Sequence, residues 1–176
     1  MTDQQLRAKE IFESHYGNKL QMFRDGQLNE YKEYNIAIEQ EKQWMKELIQ
    51  YYSSQLSIRD WDAVHHLDIV ASNYKDSEIV TNILLFSTRH LKSADSIVKL
   101  KYAEYMIHII GLTRDVLSKD QLVDAIKKTL IIFDDIMKGQ LVVDPGHELS
   151  LHQLTDKRSL NNRAKRGIEQ LENISV

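Results

Sequence analysis

The sequence predicts an all-α protein built from antiparallel helix hairpins, and three observations carry that prediction. Apolar residues recur at helical spacing along almost all of the 176 residues. One proline (Pro145) and six glycines leave little to interrupt helix. Strand-like alternation is nearly absent, and the only β-leaning patch is "QLVVDPG", Gln140 to Gly146.

The elements follow in order. The first helix is expected over Asp3–Arg24, with Gly17 as its weak point; Thr2 and Gln5 have the spacing of a capping box. Gly26 suits a left-handed stop, and a short helical turn is expected at Leu28–Glu33. A helix over Ala37–Ser53 places Trp44, Met45, Leu48, Ile49 and Tyr52 on one face. The next runs over Ser57–Tyr74, opened by a weaker Ser57/Asp60 box, and another over Asp76–Leu91. The helix over Ala94–Leu112 is apolar around almost its whole circumference, which makes it the central buried element. A clean amphipathic helix over Lys119–Lys138 starts at Ser118 with Gln121 and is expected to stop at Gly139. Its inward face reads Leu122, Val123, Ala125, Ile126, Leu130, Phe133, Ile136 and Met137; Asp124–Lys128 and Asp134–Lys138 pair on the other. The last helix is expected over Arg158–Glu172.

The linkers "NYKD" and "LKSAD" are short enough to force antiparallel neighbours. Residues 1–176 therefore read as one helical domain. It has a less regular, aromatic-rich part (1–56), two hairpins (57–138), a loop (139–157) and a C-terminal helix (158–173). In hairpin length and apolar spacing, Ser57–Lys138 resembles HEAT-type helical repeats. The resemblance implies a short α-solenoid, with the N-terminal helices supplying a third unit and the last helix a cap; an irregular helical bundle is the other arrangement.

Composition narrows the function. The formal net charge is −3, without the basic excess of a general nucleic-acid binder. No cysteine is present, so disulfides and thiolate zinc sites are excluded. The start "MTDQQLRAKEIF" has no apolar core of a signal peptide, and no apolar run approaches the roughly 18 residues that span a bilayer. A soluble, cytoplasmic protein without a membrane partner is the expectation.

The candidate chemistry centres on "DWDAVHHLDIV", Asp60 to Val70. Val64, Leu67, Ala71 and Tyr74 define an inward arc, with His65, Asp68 and Ser72 along its edge beside Trp61. His66 falls farther round, toward solvent. His65 and Asp68 can meet at i,i+3, as half of a metal or acid–base site or as a hydrogen-bonded pair on a helix edge. Lys101, Glu104 and His108 form the one narrow polar stripe of the central helix, and His90 falls on an apolar face. Convergence of His65, Asp68, His90, Glu104 and His108 would make a metal-dependent hydrolase; satisfied core histidines are the alternative. Phosphate-loop, nucleophile-turn and zinc-protease motifs are absent, so no catalytic residue and no cofactor is assigned. Asp134 and Asp135 read as a solvated salt-bridge surface.

Lys157, Arg158, Arg163, Lys165 and Arg166 gather near the C-terminus, but five acids from Gln140 onward neutralise them. A nucleic-acid role for that helix is the weaker alternative. Eight of fourteen aromatics lie within the first 56 residues. In "LQMFRDGQLNEYKEYNI", Arg24, Tyr31 and Tyr34 are the candidate contacts for another protein. The expected function is therefore protein binding, with oligomeric state left open. A small, cysteine-free, mildly acidic helical chain is similar in type to bacterial immunity proteins and antitoxins, which block a partner by contact.

Overall fold

The computed structural model describes residues 2–175, of which the helices are α1 (Asp3–Ser14), α2 (Lys19–Arg24), α3 (Leu28–Glu33), α4 (Ile38–Ser54), α5 (Asp62–Asn73), α6 (Ser77–His90), α7 (Ser96–Thr113), α8 (Lys119–Lys138) and α9 (Lys157–Ser175). The protein is all-α, with no strand among the described residues. None of these helices is long and apolar enough to cross a membrane. The "QLVVDPG" patch is an extended connection without strand pairing.

Both strong capping boxes form as expected, Thr2 with Gln5 and Ser118 with Gln121. The expected first helix splits at its weak point. Tyr16 (φ 51°) and Gly17 (φ 70°) are both left-handed, and Asn18 caps α2 anew. Gly26 (φ 75°) supplies the left-handed stop.

Two boundaries differ from expectation. Helix α5 begins at Asp62, five residues after Ser57. The buried Tyr102 hydroxyl accepts from Ser57 N–H at 3.1 Å and donates to Ser57 C=O at 2.9 Å, which fixes that backbone outside helix. The Ser57 and Asp60 side chains cap Arg59 and Asp62 locally and form no capping box. Gly139 has φ −73°, so it is no left-handed stop. The Lys157 ammonium instead donates to the Ile136 carbonyl at the end of α8.

Helix α7 is the centre, as its composition required. Ile97, Val98, Leu100, Tyr102, Ala103, Met106, Ile109 and Ile110 are all fully buried. It packs against α5, α6, α8 and α9, while α6 also touches α8. The 57–138 region is thus two stacked hairpins, with α5 and α7 side by side and pointing the same way. On α8 the buried set is Ala125, Thr129, Ile132, Phe133 and Ile136, whereas Val123, expected inside, is 42% exposed. Asp124–Lys128 and Asp134–Lys138 pair on its outer face.

Candidate functional site

Burying Val64, Leu67 and Ala71 leaves Trp61, His65 and Asp68 in a row along the flank of α5. On α7 the same i, i+4, i+7 spacing aligns Lys101, Tyr105 and His108. Parallel helices rise about 6 Å per four residues, so two such rows stay in register. Three rungs result. Lys101 Nζ sits 5.9 Å from the Trp61 ring centroid. The His65 and Tyr105 rings are 5.4 Å apart. His108 Nδ1 lies 2.5 Å from Asp68 Oδ1.

Rings extend the row on one side. His66 stacks on Tyr52 at 4.5 Å and on Tyr16 at 5.9 Å, and its Nδ1 shares a 2.6 Å hydrogen bond with the Tyr16 hydroxyl. Tyr51, 58% exposed, meets Tyr52 edge-on. His66 was expected to face solvent and is instead half-buried, while His65 is exposed. The α1–α2 reversal and the end of α4 cover that flank, which helical geometry within α5 alone does not register. Burial, and then the neighbouring His65, hold the His66 pKa below its ordinary value. The reversal that delivers the Tyr16 ring puts an aromatic residue in a left-handed conformation, a costly backbone state.

A loop extends the row on the other side. Trp61 packs against His147 at 5.2 Å and His152 at 5.0 Å. His147 is oriented by Asp95, only 7% exposed, whose Oδ2 lies 2.6 Å from His147 Nδ1 and accepts from Asp144 N–H at 2.9 Å. Asp95 Oδ1 meanwhile caps α7 through Val98 N–H. Arg163 grips Glu104 with two hydrogen bonds and donates a third to the His152 carbonyl. The His152 pKa is lowered by burial and then by the cationic Lys101 and Arg163.

Of the five candidate metal residues, Asp68 and His108 pair, while His65 faces Tyr105 on the neighbouring rung instead of meeting Asp68. Glu104 turns to Arg163. His90, expected on an apolar face, is exposed beside Phe86 in a hollow with Gln50 and Arg89, away from the others. Among the described residues, no three His, Cys, Asp or Glu side chains are placed to hold a metal. Asp135 pairs with Lys99 and Asp134 with Lys138. Two of the five C-terminal cations, Lys157 and Arg163, are engaged inside the protein.

The N-terminal aromatics are also redistributed. Tyr31, expected at the surface, is 4% exposed, because α3 presses it onto Phe12 and its hydroxyl donates to Glu41 at 2.7 Å. Tyr34 is half-buried and donates to Glu30, which Arg7 also holds. Arg24 is exposed on α2 beside Phe23, 65% exposed. Sequence reasoning missed His147 and His152. They lie in a loop without periodicity, and nothing in the chain marks Trp61 as their neighbour.

The result is a continuous belt carrying five of the seven histidines, together with Tyr16, Tyr51, Tyr52, Trp61 and Tyr105. Rings with polar edges, interspersed with paired charges, provide stacking area and hydrogen-bonding groups at one surface. No protein-family model matches the chain, and neither a curated protein nor a solved structure matches it.

Proposed function

We propose that this chain binds another protein through the α5–α7 belt. The observation that carries the reading is the three-rung row Trp61–Lys101, His65–Tyr105 and Asp68–His108, flanked on both sides by further rings. Aromatic side chains with polar handles are enriched at protein interfaces, where a few of them dominate affinity. Cross-helix pairing also holds these groups in place beforehand, so docking sacrifices little side-chain freedom. The finer proposal is a contact inhibitor of the immunity-protein or antitoxin type.

The test is a photo-crosslinking amino acid in place of His65, with Val123 on α8 as the control position. One defined partner is expected from the first and not from the second. Tyr51→Ala with His65→Ala, both at exposed positions, should weaken that complex about tenfold or more. Unchanged affinity in a correctly folded double variant rejects the belt as the contact surface. Loss of the partner's activity at one-to-one stoichiometry supports the inhibitor reading, and retained activity removes it.

A further inference from the structure

Four elements, α6, the turn at 91–93, α7 and α8, line an open pocket of about 330 Å³ that shares no lining residue with the α5–α7 belt. That size suits a small ligand. Its walls combine Leu91, Ile131 and Ile132 with three lysines, Lys92, Lys99 and Lys128, against a single lining acid, Asp135. Lys99 pairs with Asp135 at 2.7 Å and Lys128 with Asp124 at 2.7 Å. Lys92 is exposed and has no acidic partner among the described residues. The pocket is thus apolar along its walls and cationic at its edge.

Ser87 adds an independent observation. It lines the pocket, is 8% exposed, and its hydroxyl has no hydrogen-bond partner among the described residues. Its neighbour Thr88 donates to the carbonyl four residues back, at 2.7 Å. A buried hydroxyl left unsatisfied is costly, so an acceptor brought into this pocket beside it would offset that cost.

We propose that this pocket binds a small amphipathic aliphatic carboxylate. The chain lies on Leu91, Ile131 and Ile132, the carboxylate meets Lys92 with Lys99 or Lys128, and Ser87 donates to it. Leucine and isoleucine walls without an aromatic side chain favour an alkyl chain over a ring. The cationic excess selects an anionic head group over an alcohol.

Calorimetric titration of the full chain with decanoate, kept below its micelle concentration, tests the proposal. Saturable one-to-one binding is expected, with decanol about tenfold weaker or worse. Lys92→Gln should lose about tenfold in affinity, and Ile131→Asp, at a position 65% exposed, should abolish binding without unfolding the protein. Absent or unsaturable binding, equal affinity for decanol, or unchanged affinity in both variants overturns the proposal. Equal displacement of decanoate by a blocked leucyl-glutamate dipeptide also overturns it, by assigning the pocket to a protein segment.

Discussion

His108 on α7 reaches Asp68 on α5, with Nδ1 2.5 Å from Oδ1, and this rung fixes the register of two helices separated by a whole intervening hairpin arm. The Asp68 side chain is 14% exposed and that of His108 is 58% exposed, so the pair is only partly screened by water. A double-mutant cycle with Asp68→Asn and His108→Gln should give a coupling of about 1 kcal/mol by chemical denaturation. Additive single effects would mean that the rung contributes no coupling to stability.

His66 makes stability depend on pH, and the sign follows from burial. Its folded pKa lies below the ordinary 6.5, so the unfolded chain binds the proton more tightly. The contribution is present in full above pH 6.5 and declines as pH falls from there toward the folded value. His66→Phe should therefore shrink the stability difference between about pH 7.5 and about pH 5. An unchanged difference would assign the effect to other groups.

Asp95 holds the loop after α8. Burial raises its pKa, but the donors at Val98, Asp144 and His147 outweigh burial and keep it below 3.8. Its stabilisation is present above the unfolded value and is lost as pH falls through the folded one. Asp95→Asn should cost about 2 kcal/mol and open residues 143–148 to proteases at neutral pH, beyond the Ser96–Val142 hydrogen bonds. A proteolysis pattern like that of the unsubstituted chain would exclude this clasp.

Gly167 is buried where α9 crosses α8, and an added methyl would overlap the Phe133 ring. Gly167→Ala should destabilise by about 1–3 kcal/mol through overpacking. Adding Phe133→Leu should recover part of that loss, which thermal melting of both variants will show.

The helices were legible because burial and capping are written locally. The apolar circumference of Ile97–Leu112 marked the central helix, and Thr2/Gln5 and Ser118/Gln121 marked two starts. Side-chain neighbours brought in by other elements were not legible. Val64, Leu67 and Ala71 of the expected α5 arc are buried, but Tyr74 lies past the helix end in extended backbone, Val70 is buried as well, and His66 is covered by Tyr16 and Tyr52 from elsewhere in the chain. Tyr31 looked like a surface residue because six-residue α3 is too short to display a periodic face. His147 reaches Trp61 through a loop, where spacing carries no positional information.

The Asp95 clasp has a consequence for how α9 is attached. Residues 139–156 link α8 to α9, and Asp95 and Ser96 together pin the first half of that link to the start of α7, Ser96 through two hydrogen bonds with Val142. With both pins released, the free tether about doubles in length, and closing it costs only about 0.6 kcal/mol more. Helix α9 also holds its berth through Arg163 with Glu104 and through buried Leu160, Ala164 and Leu171. Slack in the link therefore leaves α9 seated, and the link serves as a leash whose slack the docked helix tolerates.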